Sequence, residues 1–302
     1  MSGKNEEPAW KLWVAFALLY VVWGSTYLAI RVAVAVFPPL GLAGLRFVIA
    51  GGLPLLWLRA RGQPWPARVH WLNACIVGGC LMLGGNGLVS WAEQTISSSL
   101  AALLLAATPL WFTLFEAMRP GGQRPSVRAA VGLFSGFIGV LLLIGPENMR
   151  QELGAPPLIG MGAVLIASAS WAFGTMFSRH RAGPSSALEA SALHMFCGGV
   201  ELVIVSVLSG ESWAAKQPDT FNAWVACVYL IVIGSWLGFG SYTWLVPRVS
   251  PSKLSTYAYV NPLVAVFLGV WLLDEPAGPK LIVPTLAILS GVVLVQLPAR
   301  RA

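Results

Sequence analysis

The chain has 302 residues, of which 57% are hydrophobic and only 10% charged, and it carries a formal net charge of +7. Soluble globular domains carry about 25% charged residues, so this composition, with a mean hydropathy of +0.73, belongs in a bilayer. The positive balance is not a nucleic-acid footprint, because the basic residues fall in polar breaks between apolar stretches and not in one patch.

Ten apolar stretches follow one another, at roughly 12–34, 39–58, 70–92, 98–118, 126–145, 157–178, 187–209, 221–245, 254–273 and 279–297. Each is close to the ~20 residues that cross a hydrocarbon core about 30 Å thick. The expected fold is therefore an all-α integral membrane protein with ten transmembrane helices. Lys4 and Lys11 precede the first stretch, but the apolar run continues to Ala35, too long for a signal peptide, and reads as an uncleaved first span. With the N-terminus inside, fourteen of the nineteen Lys and Arg residues fall in cytoplasmic segments. The opposite side holds Arg150, Lys216 and Lys280, while Arg31 and Arg46 lie within spans. This bias places both termini in the cytoplasm. Cys75, Cys80, Cys197 and Cys227 all fall in apolar stretches and read as free thiols packed like small hydrophobes.

The chain contains a duplication. Gly85, Gly87, Trp91, Ser97, Ser99, Pro109 and Leu110 recur 153 residues later as Gly238, Gly240, Trp244, Ser250, Ser252, Pro262 and Leu263. Weaker echoes join Trp23-Gly24-Ser25 to Phe173-Gly174-Thr175, Gly51-Gly52 to Gly198-Gly199, and Gly139-Val140-Leu141 to Gly291-Val292-Val293. Five spans per half leave the second copy on the opposite side of the membrane, so residues 1–148 and 149–302 are expected to be two inverted five-helix repeats around a central cavity, an architecture of transporters. Glycines crowd spans 3 and 8, where they serve either close helix packing or bending.

Pro109 and Pro262 occupy equivalent places in spans 4 and 9 and withdraw the N–H that would bond the carbonyls of Leu105 and Ala258. Such interruptions at matching places in two repeats point to a central site, although a kink satisfied by protein is the plainer alternative. Beside Pro262, Tyr257, Tyr259 and Asn261 bring polar tips into an apolar span, so they need partners inside the bundle. Tyr20, Trp23 and Tyr27 form one stripe of span 1, and Ser168, Trp171 and Thr175 repeat that spacing in span 6. Asn86 and Ser90 give span 3 a polar face, and Tyr242 and Thr243 do so in span 8. A cavity walled by such groups suits a small, partly apolar solute. Trp10, Trp57, Trp65 and Trp213 read instead as an interfacial belt.

Burying a charge in a span costs at least about 2.5–3.5 kcal/mol, which singles out Arg46, and Glu201 with His194 seven residues earlier on the same helical face. Each is either functional or a structural ion pair or snorkelling side chain, and Arg46 either orients a solute carboxylate or braces the bundle. Glu116 and Glu189 lie near the cytoplasm, where solvation accounts for them. No phosphate-binding loop and no metal-ligand spacing is present, and no nucleophile stands beside a base, so neither cofactor, metal nor enzymatic machinery is expected.

The run from Trp23 to Arg31, Pro38-Pro39-Leu40 with Ala43-Gly44-Leu45-Arg46-Phe47, Asn86-Gly87, Ser170-Trp171-Ala172-Phe173-Gly174 and Tyr257-Ala258-Tyr259-Val260-Asn261-Pro262 together resemble the EamA family of the drug/metabolite transporter superfamily. The resemblance covers essentially the whole chain and is most similar to the exporters of aromatic and other mainly hydrophobic amino acids. It implies a bacterial inner-membrane exporter, functional as a monomer, working by alternating access through a cavity between spans 1, 3, 4, 6, 8 and 9. Trp23, Tyr27, Asn86, Trp171, Tyr242, Tyr257, Tyr259 and Asn261 are the expected substrate contacts, with Pro109 and Pro262 shaping the helices. Spans 1 and 6 carry no carboxylate, which disfavours the proton-coupled drug export of the small multidrug-resistance relatives. Export of drugs or of sugar or nucleoside derivatives, and a membrane-embedded enzyme, are the alternatives.

Overall fold

A segment inside a bilayer must bond its backbone internally, and the described residues are helices joined by turns, with no strand among them. The computed structural model describes residues 8–96, 101, 104–122, 125–144, 155–184, 186–212, 220–273 and 282–296. The helices are α1 (Ala9–Val34), α2 (Pro39–Ala60), α3 (Arg68–Ala92), α4 (Thr108–Met118) and α5 (Val127–Ile144). The second half supplies α6 (Ala155–His180), α7 (Ala187–Leu208), α8 (Phe221–Leu245), α9 (Tyr257–Leu273) and α10 (Ile282–Gln296). By length and composition, α1, α2, α3, α6, α7 and α8 can each cross a membrane, and α5 and α10 are shorter apolar helices.

Two of the expected spans are less continuous than their hydropathy suggests. Leu104 and Leu105 are helical and a turn at 106–107 precedes α4, so Pro109 stands in a first helical turn, where its missing N–H costs little. Span 9 opens with a separate turn of helix, Pro251–Leu254, before α9. Both α3 and α8 widen into π-helix, at Gly79–Gly87 and Leu230–Phe239.

The packing exchanges the two halves. α2 packs on α7 and α5 on α10; α1 packs on α8 and α9, and correspondingly α6 packs on α3 and α4. Glycine makes the tightest contacts possible, since small residues let backbones approach. A Cβ on Gly199 would lie 2.6 Å from the Val48 nitrogen of α2, and one on Gly291 2.6 Å from the Gly132 carbonyl oxygen of α5.

The helix ends are tied by polar groups. Arg59 pairs with Glu189, Asn73 donates to Ala182 O at 2.8 Å, and Arg179 donates to Val246 O and Val249 O at 2.6 and 2.5 Å. At the other end, Glu211 accepts from the Leu40 and Gly41 N–H groups at 3.1 and 2.8 Å and so neutralises the positive end of α2. Glu116 pairs with Arg119. Trp10, Trp57 and Trp65 are exposed, while Trp213 lies outside the described residues. All four cysteines are free; Cys197 and Cys227 are buried and Cys80 half-buried, but Cys75 is exposed and does not pack inside as expected.

Candidate functional site

α1 places Trp23, Tyr27 and Ile30 along one stripe, because residues three and four apart share a face, and that stripe borders a cavity at the crossing of the two halves. The space is about 110 Å³ and is closed by α2, α3, α4, α6, α8 and α9. By the measure in which one water takes about 10–15 Å³, several waters or part of a small solute fit. Of the eight expected contacts, Trp23, Tyr27, Asn86, Trp171, Tyr257 and Asn261 line it. Arg46 and Phe47 line it too, so α2 belongs to the wall that the sequence assigned to six other spans.

One end of the cavity is aromatic. Trp23 stands edge-on to Trp171 at 5.5 Å and to Tyr257 at 5.1 Å between ring centroids, and its ring tilts against Tyr242 at 5.1 Å. Such pairs add about 0.5–1.5 kcal/mol each beyond burial. Tyr242 is 1% exposed and sits behind this wall instead of lining the space. Its hydroxyl accepts from Trp171 Nε1 at 2.9 Å and bonds Thr175, so it fixes the orientation of the Trp171 ring.

Tyr259 is not at the cavity. It is fully buried, and its hydroxyl donates to Leu133 O of α5 at 2.9 Å. Two residues along a helix are about 200° apart, so Tyr257 and Tyr259 cannot share a face. Asn261 shares the face of Tyr257, four residues away. Its amide end faces two carbonyls, which requires the nitrogen on that side; so oriented, it donates to Tyr257 O at 3.0 Å and Tyr20 O at 3.3 Å, joining α9 to α1 beside Pro262. Across the repeat, Thr108 donates to Leu105 O at 2.5 Å, and this side chain satisfies the carbonyl left by Pro109. Thr108 also lines the cavity, and its alignment with Asn261 was the available signal for it.

The other intramembrane charges stand elsewhere. His194 is buried and borders a second cavity of about 240 Å³, lined also by His70, Asn73, Arg179 and Arg248. Glu201 lies against Gly79 of α3, where a Cβ would be 2.7 Å from its Oε2. The face that His194 and Glu201 share therefore looks toward α3 and not into the central cavity. The side chain of Arg31 lies outside the described residues. Among the described residues no cluster of three or more His, Cys, Asp or Glu could hold a metal.

The π-helical turns leave carbonyls for side chains of the opposite half. Trp23 Nε1 of α1 donates to Gly234 O of α8 at 3.3 Å, and Ser170 of α6 donates to Cys80 O of α3 at 2.9 Å. π-helix commonly marks functional sites, and here both stretches wall the cavity.

The EamA-like transporter family model matches residues 11–145 and again 158–297, between them nearly the whole chain. The chain belongs to the EamA-like transporter family. This EamA-like transporter is 38% identical over 265 residues to the uncharacterized inner membrane transporter YedA of Escherichia coli (strain K12), covering 87% of this chain and 83% of the relative. A second relative from the same organism, named a probable amino-acid metabolite efflux pump, is 25% identical over 273 residues, 85% of each chain. A crystal structure superposes with a TM-score of 0.76 at 22% identity, over 96% of this chain and 99% of the other, which fixes the fold alone. The transporter is a multi-pass membrane protein.

Proposed function

We propose that the chain exports amino acids, chiefly aromatic and other neutral or hydrophobic ones, and related small metabolites across a bacterial inner membrane, moving the solute unchanged by alternating access. The observation that carries this reading is a cavity at the crossing of two exchanged halves, walled by Trp23, Tyr27, Trp171 and Tyr257 with the amides of Asn86 and Asn261. Aromatic surface with a few fixed polar groups is the composition of a small-molecule site. The E. coli relative named a probable amino-acid metabolite efflux pump supports the substrate class, and YedA, an inner membrane transporter by name, supports the location.

The halves 1–148 and 149–302 act as inverted repeats, with both termini cytoplasmic, so the Arg59 and Arg179 ends of the helices face the cytoplasm. In that orientation the aromatic end of the cavity is its cytoplasmic closure, reinforced by the Tyr20–Thr256 hydrogen bond of 2.6 Å and by the two bonds from Arg179. Opening inward parts α1 from α9 and α6 from α8. The chain works as a monomer. Purified protein in liposomes is expected to move labelled phenylalanine, methionine or threonine down a gradient; flux no greater than in empty vesicles for every amino acid overturns the proposal.

A further inference from the structure

The central cavity is electrostatically one-sided. Of the described residues lining it, Arg46 is the single charged one, and no Asp or Glu is among them. Arg46 is 7% exposed, its Nη2 donates to Asn86 Oδ1 at 3.2 Å, and its guanidinium lies 4.1 Å from the Phe47 ring centroid. No carboxylate among the described residues pairs with it, and its Nε is buried without a partner. A guanidinium carries five N–H donors, and one protein hydrogen bond, to Asn86, is found for them among the described residues. A buried cation left unpaired is expensive, and the expense is removed if the transported solute brings the counter-charge.

The neighbouring carboxylates are placed elsewhere. Glu211 is held by the N-terminus of α2, and Glu201 lies at Gly79. Glu93 follows Asn86 by seven residues, about 10 Å further along α3, and does not line the cavity, although its charge is felt at the Tyr27 hydroxyl. Nor does the repeat itself require the charge. On the register that aligns Gly51-Gly52 with Gly198-Gly199, Leu193 stands in α7 where Arg46 stands in α2. At the far end of the cavity, Trp23, Trp171 and Tyr257 offer apolar surface and ring faces, which attract an ammonium by about 0.5–2 kcal/mol.

We infer that the cavity holds its solute by a carboxylate on Arg46 and Asn86, with the apolar body against the aromatic end, and that this contact and not the ammonium sets most of the preference among solutes. Carboxylates with an acylated or missing amino group therefore bind within a few fold of the amino acids themselves. The inference rests on the reading of this cavity as the solute site and narrows its substrate class.

The test compares ligands of one shape on the purified full-length protein, by thermal shift and by competition for labelled phenylalanine uptake into liposomes. Phenylalanine, N-acetylphenylalanine and 3-phenylpropionate are expected to bind within a few fold of one another. Phenylalaninamide and phenethylamine, which lack the carboxylate, should bind about tenfold or more weakly, as loss of a charge-assisted hydrogen bond implies. Arg46→Gln should bring acids and amide to within about threefold, while Arg46→Lys retains most of the preference. A merely structural role for Arg46 would weaken all five ligands together and leave their ratios unchanged, and that result overturns the inference. So does wild-type binding of the amide or amine as tight as that of the acids, with amino-acid flux intact. Absence of flux and of binding for every compound overturns the functional reading and this inference together.

Discussion

The π-helical stretches of α3 and α8 share a backbone and differ in what surrounds it. Their duplicated glycines play the same part: a Cβ on Gly85 would lie 2.7 Å from the Trp171 ring of α6, and one on Gly238 2.5 Å from Trp23 Nε1 of α1. Each half thus receives a tryptophan from the first helix of the other. The tryptophans then diverge, since Trp23 donates to the exposed Gly234 carbonyl of α8, whereas Trp171 donates to Tyr242 and leaves the Cys80 carbonyl of α3 to Ser170. The first copy has Val89 and Leu104 where the second has Tyr242 and Tyr257. The two copies share their helix geometry, and the side chains in which they differ make one end of the cavity aromatic.

Filling the two glycines gives the largest expected effect. Gly85→Val and Gly238→Val should each destabilise the protein by about 3 kcal/mol, because the walled-in rings cannot move aside. Thermal midpoints in detergent would measure it, and a large loss at one glycine alone would break the equivalence of the copies. Next comes the divergent partner: Tyr242→Phe keeps the ring but removes the hydroxyl that the Trp171 N–H and Thr175 bond, which should cost about 1–3 kcal/mol and slow transport. The smallest effect belongs to the tyrosine that faces away. Tyr259→Phe removes only the bond to Leu133 O, so a loss of about 0.5–1.5 kcal/mol with flux per folded molecule unchanged is expected. A transport defect there equal to that of Tyr242→Phe would return Tyr259 to the solute path.

Much of this was legible in the residues. The stripe of Trp23 and Tyr27 and the pair Tyr257 and Asn261 follow helical spacing, and a polar tip in an apolar span has to turn inward. The assignment of Tyr259 to the same site ignored the rotation of two residues along a helix. His194 and Glu201 do share a face, as their spacing requires, but a span in a crowded bundle has several inward faces, and theirs meets α3. The break before Pro109 was expected, whereas its repair by the Thr108 hydroxyl was not. The π-helix in α3 and α8 had no sequence signature beyond glycine, which permits such a turn without demanding it.

The sequence by itself determined the bilayer environment, the ten apolar segments, the duplication and the family, because hydropathy, spacing and motif are properties of the chain read along its length. Only the tertiary structure decided that α2 joins the cavity wall, that Tyr242 supports the wall from behind, and that Arg46 meets no carboxylate among the described residues. These depend on which face each helix turns toward its neighbours. In a span apolar on nearly every side, that choice is made by packing across the two halves.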